Sequence, residues 1–552
     1  MIFLSVDLLK NIPFSTRGSY IVISLDERKS LWIRHISGGD NDWGNLIKIE
    51  WDTVNSDIFF NFYELRINKN DSSINFTFYD DNTLVIKSIN HPVTLKFATR
   101  GYDNLIERDK NIYEFNCSHK NNVILLIEVL VGETKIYTKW NGLGCESAEL
   151  YIYPLNGISL IKITDKIDKV SLNIKPTYEE ALEKNKKKYD NFSSKFKGNK
   201  TFEYELAQYI LWSNIVSPRG LLKYETIYSS KNKMTNAWSW DNLFIILPLV
   251  NKFFDLSINA IKTFTELQRE DGLIPDFVND VYCCYNFCKP PIIGFIIEYL
   301  NRNKLLSYEE IIDLYEPLKN WALWWLNFRD DDKDYLIQYN HGNESGMDNS
   351  TIFISSPPIE SPDLNSYLII LFRVLQKMAI LKSKRFEMDL FRDIESRLYL
   401  SLINLWDGED FVAYDKNHNK INSESLQKYI PLILEDLKPE IINQIHKTLI
   451  KKYLSPYGIT TEAQNSKYFN ETGYWRGPIW APTTFIFYEA LQKHGYLKTS
   501  QELRKKYLAM IKNSYFSENY NPKTGEGLCD TDFSWTASIF LTFYEEEERV
   551  ND

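Results

Sequence analysis

The feature that most constrains the fold is a change of hydrophobic period about one third of the way along the chain. Before it, short runs rich in β-branched and aromatic residues, such as "SYIVISL", "INFTFYD" and "NVILLIEVLV", are separated by clusters of Asn, Asp, Gly and Ser. After it, apolar residues recur three and four positions apart. The first pattern predicts antiparallel strands and the second predicts amphipathic helices. We therefore expect two domains of different class.

The predicted domains follow from where the period changes. We expect an antiparallel β-sandwich accessory domain over 1–175, ending in the strand "VSLNIK", then a helical linker over 176–200 and a mainly α catalytic domain over 201–552. Two concentric rings of six helices need twelve, and about twelve helices are predicted, at 201–217, 240–252, 256–270, 291–302, 308–328, 362–382, 386–405, 424–432, 437–453, 478–494, 497–514 and 533–546.

Composition excludes several classes of protein. A net charge of −10 without a basic stripe argues against nucleic acid as a partner. No apolar run of about 18 residues predicts a membrane span, and the first residues lack the pattern of a signal peptide. The six cysteines form no disulfide framework, and "CCYNFC" has no second cluster to complete a zinc site, so we expect no metal, no cofactor and a cytoplasmic location. The oligomeric state is not encoded in these features.

Long connections between the predicted helices carry the most unusual residues. Loops above about 12–15 residues in a domain are uncommon and usually functional. In a double helical ring such loops converge on one mouth, which gathers carboxylates, Trp and Tyr from distant parts of the chain. An aromatic fraction of 15% fits a core, and it also fits sugar binding, because a sugar ring stacks on an aromatic face.

The loop "HGNESGMDNS" holds two carboxylates that a helix interior would not accommodate. Asp348 either forms an Asx turn or, shielded by aromatic rings, stays protonated as a general acid. Glu344 is expected to organise the loop or bind a hydroxyl, and His341 to have a structural or hydroxyl-binding role.

Other acids also have two interpretations. In "WSWDNLF", Asp241 either caps a helix or binds sugar hydroxyls beside a stacking Trp. In "GEGLCDTDFSW", Glu526 either lies in a simple turn or acts as a general base on water, opposite a protonated acid. The run "DDDKD", 330–334, lacks the Gly and the distal Glu of an EF-hand loop, so we expect a solvated turn there.

Seven motifs occur in one order: "WSWDNLF", "DGLIPDF", "KPPIIGF", "NESGMDNS", "SPDLNSYL", "YWRGPIWAPT" and "GEGLCDTDFSWTAS". Together they resemble glycoside hydrolase family 63 and its relatives, which include bacterial α-glucosidases and mannosylglycerate or glucosylglycerate hydrolases, and more distantly trehalase. The resemblance implies an (α/α)6 barrel and inverting hydrolysis of an α-glycosidic bond. "PPIIGF" and Met347 depart from the pattern, so the substrate's identity does not carry over.

The resemblance also implies which residues act. It assigns the general acid to Asp348 and the general base to Glu526. It places Trp240 and Asp241 in the glycone subsite, and the aromatic wall corresponds to Tyr474, Trp475, Arg476, Gly477 and Trp480. We also expect substrate binding by Trp238, Phe244, His341, Glu344, Asn349 and Trp535, and we expect no metal.

The function predicted from these features is an exo-acting, inverting glycosidase, first of all an α-glucosidase on a disaccharide, short oligosaccharide or small glycoside. Its expected partner is a small carbohydrate, with neither nucleic acid nor membrane. A sugar isomerase, phosphorylase or lyase on the same barrel remains an alternative, because a fold does not fix a function. A non-catalytic sugar-binding protein is another alternative, which would retain the Trp residues and lose one acid.

Overall fold

Contacts divide the chain into two units. The computed structural model describes residues 2–4, 6–120, 123–166, 174–512 and 514–551. The first unit comprises 1–236 with 279–282, and the second comprises 237–278 with 283–552. Most of the predicted strand "VSLNIK" lies outside the described residues.

The first unit contains two antiparallel sheets. Their strands are β1 (Ile2–Leu4), β2 (Ile21–Leu25), β3 (Leu31–His35), β4 (Asn45–Ile49), β5 (Asp57–Phe60), β6 (Leu65–Lys69), β7 (Ser72–Asp80), β8 (Thr83–Ile89), β9 (Val93–Phe97), β10 (Asn104–Asp109), β11 (Ile112–Cys117), β12 (Val123–Val131), β13 (Glu133–Trp140), β14 (Cys145–Tyr153) and β15 (Ile158–Asp165). Nine form a sheet in the order β1-β5-β6-β7-β8-β15-β12-β11-β10, and six form another in the order β13-β14-β9-β4-β3-β2.

The two sheets share a core in which inward residues alternate with outward ones. On β9 the side chains at Val93, Leu95 and Phe97 are buried while those between them are half-buried, as expected of a strand with one face inward. The ring of Phe97 lies 4.8 Å from that of Phe115 on β11 of the other sheet. The predicted antiparallel sheet domain is thereby confirmed, and β1, β4, β10, β11 and β15 are strands beyond those predicted.

Three helices and a two-stranded ribbon complete the first unit: α1 (Val6–Asn11), α2 (Tyr178–Ser193), α3 (Phe202–Ser213), β16 (Ile215–Val216) and β17 (Thr226–Ile227). Helix α2 begins with a capping box between Thr177 and Glu180 and packs against β7. On α3, the Tyr209 hydroxyl donates to the carbonyl of Pro13, at 2.9 Å. Contacts of this kind place α3 with the sheets, so the division falls after Asn236, whereas the sequence places the start of the helical domain at 201.

The second unit is mainly helical, with short strands in its loops. Its helices are α4 (Ser239–Ile245), α5 (Phe254–Thr265), α6 (Ile293–Arg302), α7 (Tyr315–Phe328), α8 (Pro362–Leu381), α9 (Arg385–Asn404), α10 (Pro439–Thr448), α11 (Ala481–Lys493), α12 (Leu497–Ile511) and α13 (Ser534–Asn551). Its strands are β18 (Ala237–Trp238), β19 (Phe277–Val278), β20 (Gln338–Tyr339), β21 (Ile359–Glu360), β22 (Tyr414–Asp415), β23 (Ile479–Trp480), β24 (Asn519–Tyr520) and β25 (Gly527–Leu528).

Each of the twelve predicted helical segments contains a helix. The segment predicted at 424–432 is a 3-10 helix, Leu426–Ile433, which contains Pro431. Proline has no amide to donate, and its ring hinders the carbonyl four residues earlier, which disfavours a regular α-helix here.

Six helical elements of this unit contact one another in a closed circuit. In sequence order they are α4, α6, α8, the 3-10 helix 426–433, α11 and α13, and α13 contacts α4 again. The Ser538 hydroxyl of α13 donates to the carbonyl of Phe244 in α4, at 2.6 Å, which closes the circuit. Helices α5, α7, α9, α10 and α12 flank these elements.

Helix α8 belongs to the interior of this unit. It is long and apolar enough by composition to cross a membrane, yet 72% of its most apolar window is buried against the rest of the protein. Its neighbours are α6, α7, α9 and the 3-10 helix 426–433.

We expect the close approach of α6 and α8 to depend on Gly294. A Cβ at this position would lie 2.6 Å from the Cα of Leu371. Gly294→Ala should therefore lower the free energy of unfolding by about 1–3 kcal/mol, measured by urea denaturation. Leu400→Ala, at a side chain that is 66% exposed on α9, should change it by less than about 0.5 kcal/mol. Unchanged stability of Gly294→Ala would contradict this account of the packing.

Candidate active site

The loop that carries Asp348 is shaped by a short 3-10 turn and one glycine. The turn, Gly342–Ser345, is capped by His341, whose Nδ1 accepts from the amide of Asn343 at 3.0 Å. Gly346 has a φ of +73°, and a Cβ there would lie 2.6 Å from the ring of Trp240. Only glycine satisfies both conditions, so the loop backbone lies directly against this ring.

Asp348 projects from this loop beside a cation and a phenol. Its Oδ1 lies 3.9 Å from Lys289 Nζ, and its Oδ2 accepts from the Tyr474 hydroxyl at 3.4 Å. Burial raises the pKa of Asp348, and the charge of Lys289 opposes that rise. The side chain keeps 34% of its surface exposed. Asp348 is thus an accessible carboxyl group whose pKa is raised by burial.

A second carboxyl group reaches the same tyrosine. Glu518 Oε1 accepts from the Tyr474 hydroxyl at 3.4 Å, and its Oε2 accepts from the amide of Asp530 at 3.3 Å. Glu518 is 6% exposed. Burial raises its pKa to about 8, and the negative charges of Asp530, Asp241 and Asp348 add to that rise.

The shared hydroxyl fixes how far apart the two carboxyl groups can be. Since both accepting oxygens lie 3.4 Å from Tyr474 Oη, they are separated by at most about 7 Å. This limit overlaps the lower end of the roughly 6.5–9.5 Å range of inverting glycosidases, and it also includes the roughly 5–5.5 Å range of retaining ones. Glu518 precedes β24 and Asp348 follows β20, so two distant segments converge here.

Lys289 ties the Asp348 loop to another acidic loop. Its Nζ donates to both the backbone oxygen and Oδ1 of Asn343, at 2.9 and 2.8 Å, and lies 3.3 Å from Asp276. Asn343 in turn donates to Asp276, at 2.8 Å. Burial lowers the pKa of Lys289, but Asp276, Asp348 and Asp241 outweigh it, so the net pKa is raised and the ammonium stays charged.

The predicted aromatic wall is mostly buried. Trp475 and Trp480 stack with ring centres 3.7 Å apart and planes 8° apart, and they are 1% and 0% exposed. Trp240 packs edge-on against Trp535 at 5.7 Å, and Phe244 packs edge-on against Trp240 at 5.7 Å. Because these rings are buried against one another, they hold the wall in place.

The rings that keep accessible surface are Trp238 and Tyr474, both half-buried. Trp238 lies against Phe277, with ring centres 5.4 Å apart. Tyr474 has a φ of +63°, which bulky residues rarely adopt, and the Nε1 of Trp480 donates to its carbonyl at 3.0 Å. The phenol is therefore held toward the carboxyls by a backbone conformation that the neighbouring ring stabilises.

Asn349 and Arg476 join the Asp348 loop to the loop of Tyr474. Asn349 Oδ1 accepts from the amide of Trp475 at 2.9 Å, and its Nδ2 donates to the carbonyl of Gly473 at 3.0 Å. Arg476 Nε donates to the carbonyl of Asn349 at 2.6 Å. These bonds give both residues a positioning role.

Glycine is also required at position 477, where the same loop closes. Gly477 has a φ of +152°, and a Cβ there would lie 2.2 Å from the carbonyl oxygen of Asn470. The carbonyl of Arg476 accepts from the Asn470 amide at 2.8 Å, so the two ends of the loop touch.

The remaining predicted residues are distributed around this centre. Glu344 is buried, pairs with Arg329 Nη2 at 2.7 Å and accepts from the Asn340 amide at 2.7 Å, as expected of a residue that organises the loop. His341 is exposed beside Phe287, with ring centres 4.7 Å apart. Asp241 is buried in the first turn of α4, close enough to raise the pKa values of Glu518 and Lys289.

Glu526 is placed differently from the expectation. It is exposed on a turn before β25, where its amide donates to Thr524 Oγ1 at 3.3 Å and its carbonyl accepts from Asn521 at 2.8 Å. The carboxyl that the structure brings to Asp348 is Glu518, which sequence reasoning missed. The signal for it was "SENYNP", an acid directly before a short strand, whereas the flanking glycines drew attention to Glu526.

Comparisons with known protein sequences match this chain to glycoside hydrolases. A family model for the mannosylglycerate hydrolase MGH1-like glycoside hydrolase domain matches residues 234–536, more than half of the chain. Mannosylglycerate hydrolase MGH2 from Selaginella moellendorffii is 23% identical over 389 residues, which cover 55% of this chain and 79% of that protein. Glucosylglycerate hydrolase from Mycolicibacterium hassiacum is 21% identical over 414 residues, which cover 55% and 91%.

A solved structure is also similar. The GH63 mannosylglycerate hydrolase from Thermus thermophilus, in complex with glucose, matches with a TM-score of 0.54 at 18% identity. The match covers 62% of this chain and 99% of that one. At this identity the likeness concerns the fold.

The burial of Glu518 predicts a dependence of stability on pH. Its pKa of about 8 lies above the value near 4.3 of an unfolded Glu, so the stability that the protonated form contributes is lost as pH rises from about 4.3 to 8. Glu518→Gln cannot ionise. Relative to the original protein, this variant should gain on the order of 3 kcal/mol of unfolding free energy between pH 5 and pH 8.5, measured by urea denaturation. Glu526→Gln, at an exposed side chain, should show no such gain, and a flat difference for Glu518→Gln would refute the burial argument.

Proposed function

The chain belongs to the mannosylglycerate hydrolase MGH1-like glycoside hydrolase family, as its resemblance to family 63 predicts, and is a glycoside hydrolase; we propose that it cleaves the α-glycosidic bond of a small glycoside with inversion of configuration. The observation that carries this proposal is the Tyr474 hydroxyl, within 3.4 Å of both Asp348 and Glu518. Two carboxyls that reach one hydroxyl, one of them accessible, can supply the acid and the base of a single displacement by water, which is the course that the resemblance to family 63 implies.

In the proposed reaction Asp348 is the general acid. It donates its proton to the glycosidic oxygen as the bond from that oxygen to the anomeric carbon breaks, and the aglycone leaves as an alcohol. Burial, which raises the pKa of Asp348, keeps this proton available. Lys289, at 3.9 Å, stabilises the carboxylate that remains after the transfer.

Glu518 is the proposed general base. It removes a proton from a water molecule whose oxygen attacks the anomeric carbon from the opposite face. Its raised pKa arises in part from the charge of Asp348, so a proton on Asp348 removes that repulsion and favours ionised Glu518. With a pKa of about 8, Glu518 holds a proton near pH 7 in the free protein, and it must lose that proton before it can act as the base.

The assignment of the base to Glu518 rather than Glu526 rests on location. Glu518 is 6% exposed and bound to the tyrosine that Asp348 also contacts, whereas Glu526 lies on an exposed turn. A base must lie within reach of the water that attacks the substrate.

The fold that we propose for the second unit is an (α/α)6 barrel. The closed circuit of six helical elements is its inner ring, and the flanking helices belong to the outer ring. The loops with Trp238, Asp348, Tyr474 and Glu518 would then line one mouth of the ring, and exo action on a short substrate stays a prediction.

The proposed substrates are α-glucosides, first predicted from the sequence, and α-mannosides with a small aglycone. Relatives of the chain are named for hydrolysis of mannosylglycerate and glucosylglycerate, so these two glycosides belong beside maltose and trehalose in a first panel. A cytoplasmic location stays a prediction.

Two substitutions test the roles of the acids. With the best substrate of the panel, Asp348→Asn and Glu518→Gln should each lower kcat by about 10²–10⁴, because each removes one proton transfer. With the matching α-glycosyl fluoride, whose leaving group needs no proton, Asp348→Asn should recover most of its kcat and Glu518→Gln should not.

The control for this experiment is Glu526→Gln, which should stay within a few-fold of the original kcat. A loss in Glu526→Gln as large as that in Glu518→Gln would return the base to Glu526. Recovery of Glu518→Gln on the fluoride, in place of Asp348→Asn, would exchange the two roles.

The stereochemistry of the product tests the mechanism. Proton NMR of the first minutes of hydrolysis should show the β-anomer of the released sugar, which then equilibrates to the mixture. An α-anomer at first would indicate retention and exclude the single displacement. Turnover that needs inorganic phosphate would indicate a phosphorylase instead.

A further inference from the structure

The first unit contains a polar cavity that the proposed reaction does not use. Its volume is about 650 Å3. It is lined by the turn between β5 and β6, by the end of α2 with the segment that follows it, and by α3. Cavities of roughly 300–1,000 Å3 are the size that small-molecule ligands occupy.

Two amide side chains in this cavity are buried without a hydrogen-bond partner in the described part of the chain. Gln208 on α3 is 3% exposed, and its amide bonds to none of the described residues. Asn61 Oδ1, in the turn between β5 and β6, is buried and likewise accepts no hydrogen bond from them. An amide left in this state costs roughly 1–3 kcal/mol, so a buried amide normally bonds to water or to a ligand.

Ionisable side chains add acceptors and one donor to the same cavity. Asp190 is exposed near the end of α2, and Glu205 is half-buried on α3. Neither carboxyl accepts a hydrogen bond from a side chain within the described ranges. Lys200 is the cation of the lining, so two carboxylates and one ammonium leave a formal charge of −1.

The turn between β5 and β6 also presents an aromatic ring to the cavity. Phe62 has a φ of +69°, which in such turns favours glycine. Its ring is 6% exposed and lies 5.3 Å from that of Tyr189, so burial offsets the strain. The next residue, Tyr63, stays half-buried, with its ring 6.4 Å from that of Tyr189. An accessible flat ring therefore lines the cavity together with the unpartnered amides.

We propose that this cavity binds a small neutral saccharide. Sugar hydroxyls both donate and accept, which suits a lining that holds amides, carboxylates and an ammonium group. Tyr63 would stack on the C–H face of a sugar ring, while Gln208 and Glu205 would bond to its hydroxyls. The small net charge favours a neutral ligand over an anion or a multivalent cation. All of the lining residues precede 234, where the family match begins, so this second site does not depend on the proposed reaction.

Hydrogen exchange of the full chain, followed by mass spectrometry, tests for the site and locates it. The probes are maltose, trehalose and α-1,2-mannobiose at about 20 mM, which saturates a site with a Kd of about 1 mM. At least one of them should slow amide exchange in peptides that cover 61–64 and 194–204, because a ligand stabilises the state that it binds. Slowing in the loop 341–349 would report the active site separately.

Unchanged exchange at 61–64 and 194–204 with all three disaccharides would overturn the proposal, whatever the active-site loop shows. Stronger slowing there by maltobionate, which carries a carboxylate, than by any of the three would overturn the choice of a neutral ligand.

The substitution Gln208→Leu separates binding from stability. It removes the unpartnered amide at nearly constant volume, so the Tm should be unchanged or higher. The Kd, read from the concentration dependence of exchange at 61–64, should rise by about 10-fold, because the hydrogen bonds to the sugar are lost. A lower Tm with an unchanged Kd would show that the amide serves the fold, and would overturn its role in binding.

A matched pair on α3 tests the carboxylate. Glu205→Gln should raise the same Kd by about 5-fold or more, because hydrogen bonds to a charged acceptor are the stronger ones. Glu203→Gln makes the same chemical change two positions away, outside the lining of the cavity, and should alter the Kd by less than about 2-fold. Equal Kd values in these two variants, with Gln208→Leu unchanged as well, would overturn the site.

Discussion

The hydroxyl of Tyr474, set between two carboxyl groups, is the contact on which the proposed chemistry depends. Asp348 and Glu518 come from loops 170 positions apart in the sequence, and each lies 3.4 Å from this oxygen. A hydroxyl has one proton to donate, so it can satisfy one carboxylate at a time. The other carboxyl must then be protonated or accept from a different donor.

The loops around this hydroxyl are held by backbone constraints more than by the rings that the sequence displays. Gly346 lets the Asp348 loop lie on Trp240, and Gly477 lets the Tyr474 loop close on Asn470. Asn349 joins both loops through three hydrogen bonds. A site whose loops are fixed in this way keeps its carboxyl spacing without the substrate, which lowers the entropic cost of reaching the reactive geometry.

Sequence patterns predicted the helices and strands better than they predicted which side chains face the active site. Twelve helical segments were recognisable because amphipathic spacing reports burial along a helix. The strand β15, "ISLIKITD", was not predicted, although Asn156-Gly157 signals a turn directly before it. The composition of its loop predicted a catalytic role for Asp348, whereas no feature of the sequence drew attention to Glu518. Glycine flanks suggested that Glu526 approaches a ligand, but they equally permit the exposed turn that it occupies. Which carboxyl meets Asp348 is decided by the pairing of β23 with β24, a contact that no local pattern contains.

Short strands place both acids of the active site. The strand β20 precedes the loop of Asp348 and pairs with β21, and Glu518 directly precedes β24, which pairs with β23. Burial raises the pKa of both carboxyls, and Lys289 supplies the fixed positive charge that opposes the rise at Asp348. The positions of the two acids therefore depend on pairings between strands of two residues each, which join segments that are distant in the sequence.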